Sequence, residues 1–316
     1  MSAASGVRPA PAPPRTPETE ALEELARAKV NLFLHVRGRR PDGRHTLESL
    51  AVFPEIGDVL TAERSPILSL SLEGPFSLSL GGGEDNIVTR AVERLAAATG
   101  AQEGIALRLD KRLPVASGIG GGSADAAAAL RLAMRLWGRT PDATGLAALA
   151  LGLGADVPVC LSSAPAMMRG QGEVLEPAPP FPAFWLVLAN PLRAVPTAEV
   201  FAGLERRDNP PADRPPARFD DLGLLVAWLA RQRNDLEAPA RAFAPVVGAV
   251  LGALRWTQGC LLARMSGSGA TCFGMFASER DALRAAQAIR ARQPDWWVAP
   301  ARAPAWPASQ SGVAAD

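Results

Sequence analysis

Only two of the chain's 33 basic residues are lysines, Lys29 and Lys111. Wherever a plain positive charge suffices this chain uses arginine, so the two exceptions mark places where a compact, titratable ammonium has a task. Lys111 stands just ahead of Pro114-Val-Ala-Ser-Gly-Ile-Gly-Gly-Gly-Ser-Ala124, the stretch with the plainest chemistry in the sequence. Gly118, Gly120, Gly121 and Gly122 let the backbone take positive φ and turn successive N–H groups into one concavity. Ser123 is expected to cap a helix from Ala124 to Trp137, whose free N–H groups and positive dipole end face the same point. Phosphate is the natural guest. The ordinary alternative, a flexible turn before a buried helix, leaves the glycines without a reason, because each one costs backbone entropy.

The common phosphate-loop patterns do not fit this stretch. A Walker loop needs lysine directly after glycine, and neither lysine here follows one. A dinucleotide fingerprint would need glycine where Ser123 stands, and the glycine-rich loop of protein kinases fails on the same spacing. Two further polar groups, Lys29 and Asn31, sit in the apolar run Leu25 to Val36. It reads as a strand with both on one face, the alternative being an amphipathic edge strand with a solvated lysine. Asp156, in Gly154-Ala-Asp-Val-Pro158, is fixed between a helix end and a proline, where a turn-forming or capping aspartate is the other reading.

The elements that must position these residues are soluble and mixed. The chain has 316 residues, 48% hydrophobic and 21% charged, enough for two packed domains. A net charge of +1 gives no electrostatic reason to expect nucleic acid or an anionic membrane as partner. Cys160, Cys260 and Cys272 form no close pair, which suggests reduced thiols in the cytoplasm, and two scattered histidines offer no zinc set. The first twenty residues hold five prolines and no apolar core, so residues 1–23 read as a disordered extension rather than a signal peptide. Residues 303–316 read as a disordered tail.

In order, the patterns give a β-rich opening, a hairpin from Ile67 to Leu80 around Glu73-Gly74, and a helix from Ile87 to Ala98 behind the turn Gly81–Asn86. A strand from Ile105 to Leu109 delivers Lys111 and the glycine loop, the strand, loop, helix order that a phosphate loop requires. A helix near Gly145 to Leu151 precedes Asp156. Composition shifts after Met168, and the domain boundary is expected there, followed by a buried strand, Ala183 to Leu188. Helices at 221–231, 242–254 and 279–292 and a strand at 271–276 complete the reading.

Taken together, Ala28-Lys-Val-Asn-Leu-Phe-Leu-His35, Pro41-Asp-Gly-Arg-His45, the loop Pro114 to Ala127, Gly154-Ala-Asp-Val-Pro158, Asn234-Asp-Leu-Glu237 and Ser266-Gly-Ser-Gly-Ala270 resemble the motifs of the GHMP small-molecule kinases, in the family's order. The resemblance implies an α+β, two-domain fold. Residues 24–168 would form an N-terminal ATP-binding domain, ribosomal protein S5 domain 2-like, and residues 169–302 a C-terminal α/β-plait substrate domain. It implies ATP-dependent phosphorylation of the 2-hydroxyl of a cytidine-diphosphate-linked methylerythritol in the non-mevalonate isoprenoid route. Another GHMP kinase, acting on homoserine, mevalonate or a sugar, is the alternative.

By the same resemblance Lys111, Pro114, Ala116, Ser117, Gly118, Ile119, Gly120, Gly121, Gly122 and Ser123 would bind ATP, with Mg²⁺ at Ser123. Asp156 would be the general base and Lys29 the charge beside it, while Asn31, His45, Thr197 and Phe201 would hold the acceptor. The sequence departs from the family in having Arg44 where Asp-Gly-Tyr-His is usual, and it contains no tyrosine. A guanidinium can still stack on a flat base. Ala116 also replaces a usual glycine in the loop.

Overall fold

The computed structural model describes residues 21–80 and 86–307. In chain order the first half comprises β1 (Leu22–Arg27), β2 (Val30–Arg39), β3 (His45–Val52), β4 (Gly57–Ser65), β5 (Ser69–Glu73), α1 (Ile87–Thr99) and β6 (Gly104–Asp110). Then come α2 (Gly121–Trp137), α3 (Ala143–Leu153), α4 (Val157–Ser162), β7 (Ala166–Gly170) and β8 (Val174–Pro177). The remainder is β9 (Phe184–Asn190), α5 (Thr197–Ala202), α6 (Leu222–Ala230), α7 (Glu237–Phe243), α8 (Val246–Arg255), β10 (Leu262–Met265), β11 (Cys272–Phe276), α9 (Glu279–Arg292) and β12 (Trp297–Ala303).

These strands form three sheets, ordered β1-β4-β6-β5, β2-β3-β7-β8 and β10-β11-β9-β12. The first carries α2 across β1 and β4. Ala124 and Ala126 to Ala129 are all buried there, because a run of methyl side chains lets a helix lie close to strands on several sides. The third sheet is wholly antiparallel, with helices between β9 and β10 and α9 between β11 and β12, which is the split βαβ plait. Its α8 and α9 bury Val250, Leu254, Ala286 and Ile289 against it. A separate core joins the middle sheet to the third: Val30, Leu32 and Phe33 pack with Phe184, Leu188, Phe273 and Trp228. Each such side chain contributes about 1.5–3 kcal/mol on full burial, so this core fixes the two halves against one another.

Several expectations change. The run Leu25 to Val36 is two strands, because the chain crosses between sheets at Ala28 and Lys29, whose N–H groups donate to Ile56 O and Ile119 O. A bulge in β2 between Asn31 and Phe33 re-aims the next side chains, leaving Asn31 for the cleft and Phe33 for Trp228. The hairpin does not form. β5 instead pairs parallel with β6, and Ser77–Leu80 is a short 3₁₀ turn; Gly74, at φ 89°, packs onto the Lys111 backbone and the Asp110 carboxylate.

The helix expected at 242–254 breaks at Ala244-Pro245 into α7 and α8, since proline cannot donate within a helix. Three residues assigned to the disordered extension, 21–23, lead into or begin β1, and β12 with the Phe181–Trp306 bridge orders the chain through residue 307. The rest of both ends, 1–20 and 308–316, and the turn residues 81–85, lie outside the described residues. The composition break after Met168 falls inside β7.

Candidate active site

The glycine loop reaches α2 through a tight reversal. Ala116, Gly118 and Gly120 have φ of 50°, 76° and 64°. Gly118 is indispensable sterically: a Cβ there would lie 2.6 Å from the carbonyl oxygens of both Ser266 and Gly269. The close approach comes from a second glycine turn, 266–270, that braces the first. Ser266 Oγ donates to Gly118 O at 3.0 Å and accepts from Asn31 N at 3.1 Å, and Thr271 N donates to Ser117 O at 3.0 Å. Asn234 holds that turn in place by donating its Nδ2 to Met265 O and Gly267 O, both at 2.8 Å.

Ser123 does not cap the helix. α2 begins three residues earlier than expected, at Gly121, with Gly120 in the left-handed region as its N-cap and no side-chain cap, so the Ser123 hydroxyl is left on the cleft lining. The unpaired N–H groups of the first turn, from Gly121 onward, need a partner, and the cleft is where an anion would supply it.

Lys29 and Asp156 meet at the cleft floor, Nζ to Oδ1 at 2.7 Å, with the lysine side chain 6% exposed and the aspartate 37%. Asp156 occupies the N-cap position of α4 but makes no side-chain cap bond, so the capping alternative fails and its carboxylate is aimed at the ammonium instead. The stem of Lys29 lies against Gly120, whose added Cβ would sit 3.2 Å from Lys29 Cβ. The pair is thereby set directly beneath the glycine turn.

A cleft of about 380 Å³ runs from this loop past Lys29, Asn31 and Asp156 to Thr197 and Phe201. Asn31 Nδ2 donates to Ser49 Oγ at 2.7 Å, leaving Asn31 Oδ1 buried without a partner. Thr197 Oγ1 and Ser268 Oγ are 2.8 Å apart. His45 lies just behind the cleft lining, its ring stacked on Phe201 at 4.8 Å and 22°, with Nε2 buried and unpartnered. Burial first, then the charges of Arg39 and Arg207, lowers the His45 pKa and keeps the ring neutral. Arg44 points to Gln171 Oε1 at 2.9 Å rather than onto that ring.

The structure therefore brings Lys29, Asn31, Ala116 to Gly118, Gly120 to Ser123, Asp156, Thr197 and Phe201 onto one cleft. Pro114 and Ile119 are buried behind it. Lys111 is also buried: its ammonium lies under the loop, 2.5 Å from Asp58 Oδ2 and 2.6 Å from Asp125 Oδ2. Sequence reasoning gave no part to Ser49, Gln171 or Ser268. The Ser-Gly-Ser-Gly turn was a signal for the last, whereas nothing distinguishes Ser49 from any other strand serine.

Residues 86–164 match the GHMP kinases N terminal domain and residues 217–295 the GHMP kinases C terminal. A Cereibacter sphaeroides protein named 4-diphosphocytidyl-2-C-methyl-D-erythritol kinase is 55% identical over 285 residues, 89% of this chain and 98% of that protein. The chain belongs to the GHMP kinase family. A similarly named Parvibaculum lavamentivorans protein is 52% identical over 282 residues, covering 88% of this GHMP kinase and 96% of its relative. A crystal structure of 4-(cytidine 5'-diphospho)-2C-methyl-D-erythritol kinase superposes with a TM-score of 0.70 at 36% identity, over 89% of this chain and 99% of the other. The L. major mevalonate kinase in complex with R-mevalonate, at 14% identity and a TM-score of 0.66 over 93% of this chain and 99% of the other, shares the fold. This GHMP kinase is an ATP-dependent small-molecule kinase with a two-domain α+β fold. Among its described residues no helix is long and apolar enough to cross a membrane.

Proposed function

We propose that this kinase transfers the γ-phosphoryl group of ATP to the 2-hydroxyl of 4-diphosphocytidyl-2-C-methyl-D-erythritol. The observation that carries the reading is one cleft that joins a phosphate-binding helix start to the Lys29–Asp156 pair and, beyond it, to the His45–Phe201 stack. Relatives at 52–55% identity carry that kinase's name. The kinases for homoserine and mevalonate resemble this chain at 18% and 14% identity, which supports a common fold and not a common acceptor.

In this reading Gly118, Gly120 and the first turn of α2 hold the ATP phosphates through backbone N–H groups. Asp156 accepts the proton of the acceptor hydroxyl as that oxygen bonds to the γ-phosphorus and the bond to the β–γ bridging oxygen breaks, releasing ADP. Lys29 steadies the charge on the attacking oxygen and orients the carboxylate. Asn31 Oδ1 and Thr197 Oγ1 contact the polyol, and the base is held at Phe201 and His45, where a neutral imidazole offers one donor and one acceptor.

No group of three or more acidic, histidine or cysteine residues among those described forms a metal site. A metal brought in on nucleotide phosphates needs only one or two protein oxygens, and Ser123 Oγ on the lining fits that role for Mg²⁺. Bound there, Mg²⁺ would neutralise charge on the phosphates. Residues 24–168 supply the donor side together with Asn31 and His45, residues 169–302 complete the acceptor side with Thr197 and Phe201, and free thiols at Cys160, Cys260 and Cys272 suit a cytoplasmic enzyme.

The test is turnover. ADP release should require the cytidylyl methylerythritol acceptor, with homoserine, mevalonate and galactose inactive; release with mevalonate instead would overturn the assignment. Asp156→Asn should bind nucleotide as the parent does and lose at least ~100-fold in kcat, within the range of a general base. Near-normal turnover would remove Asp156 from that role.

A further inference from the structure

Three stretches of chain must keep a fixed relation for this site to work: the one carrying Lys29, the one carrying Asp156, and the helix that begins at the phosphate loop. Their reactive ends meet in the cleft. Their far ends meet at a single side chain, Arg131, on the third turn of α2.

Arg131 Nη1 donates to Cys160 O at 2.8 Å and to Leu161 O at 3.0 Å. These are the last carbonyls of α4, the helix that has Asp156 at its N-cap. Helix-terminal carbonyls have no partner within the helix, and a cation at that end also complements the helix dipole. The Arg131 Nε of the same guanidinium donates to Glu24 Oε1. Glu24 belongs to β1, the strand that runs directly into Lys29. Arg131 and Glu24 side chains are each only 21% exposed, so the contact is shielded from solvent.

A frame results. One end is closed by the 2.7 Å contact of Lys29 with Asp156, the other by Arg131. α4 has six residues and no side-chain cap at its N-terminus, so little within it resists sliding or tilting. The planar fork of arginine holds two carbonyls and one carboxylate in fixed directions at once, which the freely rotating donors of a lysine ammonium do less rigidly.

We propose that Arg131 is a positioning residue for the phosphoryl transfer, holding the Asp156 helix and the Lys29 strand in register with the helix of the phosphate loop. It touches neither ATP nor acceptor. It acts through Asp156, and so rests on the role given to Asp156 above.

The experiment compares Arg131→Met, Arg131→Lys and Glu24→Gln with the parent enzyme, each also in an Asp156→Asn background, measuring kcat, KM for ATP and acceptor, and melting temperature. Arg131→Met is expected to lower kcat about tenfold or more, the size of loss that a small misplacement of reacting groups produces. Both KM values should stay within about threefold, because the binding residues are untouched. Arg131→Lys should recover part of the loss, and Glu24→Gln should show a smaller loss of the same kind.

In the Asp156→Asn background, Arg131→Met should cost little further, since the two act through one group. A melting temperature that falls while kcat per folded molecule stays at the parent value would overturn the proposal. So would a full-sized kcat loss in the Asp156→Asn background. If Arg131→Met does not fold, the kcat and KM of Arg131→Lys and Glu24→Gln decide in the same way. An Asp156→Asn enzyme that turns over normally would instead remove the reading of Asp156, a distinct outcome.

Discussion

Replacing Lys111 by methionine isolates what holds up the phosphate loop. The lysine is 1% exposed and its ammonium is shared between Asp58 on β4 and Asp125 on α2. Asp58 also ties down the strand end, accepting from Arg112 N at 2.6 Å and Leu113 N at 2.8 Å. The loop lies directly above, for a Cβ at Gly121 would be 3.2 Å from Lys111 Nζ.

Removing the cation leaves the buried Asp58 carboxylate without its counter-charge, a change that costs about 3–5 kcal/mol. At roughly 2–4 °C per kcal/mol, a scale set by domains somewhat smaller than this chain, Tm should fall by roughly 6–20 °C. Urea unfolding at pH 7, with the same slope as the parent, measures the loss. Adding Asp125→Asn to Lys111→Met should restore little of it, because Asp125 already holds its proton at pH 7, whereas adding Asp58→Asn, which removes the stranded charge, should restore part. If Lys111→Met unfolds within about 1 kcal/mol of the parent, a range typical of exposed pairs, the triad is not what supports the loop.

The same triad has a pH signature. Burial pushes the Asp125 carboxyl up to about 8, against the pull of Lys111 and with Asp58 adding to the rise. The folded protein then holds a proton between about pH 4 and 8 that the unfolded chain releases. Stability from this group falls as pH rises through that window, and Asp125→Asn should flatten the fall.

His35 predicts the opposite slope. Burial, reinforced by Arg233, lowers its pKa from 6.5 to about 4, and its Nε2 accepts from Arg233 N at 3.1 Å. The folded state keeps it neutral, so stability should fall as pH drops from about 6.5 towards 4; the difference between parent and His35→Gln across that range measures it. Gly118→Ala should destabilise by more than about 1 kcal/mol and weaken ATP binding about tenfold, since backbone on two sides blocks the new methyl and its φ is positive. Gly122→Ala is the control. Its nearest neighbour would be Ile87 Cγ2 at 3.9 Å, so urea unfolding should show little change in stability.

Much of this site is local in origin, and the sequence by itself determined that part. Four glycines ahead of an alanine-rich segment make an anion-binding helix start wherever the chain goes, because φ freedom and free N–H groups are properties of the stretch itself. Two lysines in a chain that otherwise uses arginine marked two places where a compact ammonium has a task. The tertiary structure decided which was which. Lys29 reaches the cleft because the chain changes sheets at Ala28, and Lys111 is buried because Asp58, 53 residues away, supplies a counter-charge. A bulge in β2 after Asn31 left that side chain on the cleft while Phe33 turned to the core, and the parallel pairing of β5 replaced an expected hairpin. Ser49 and Arg131 carried no signal in the sequence, since their roles exist only through partners distant in the chain, and no local pattern encodes such a partner.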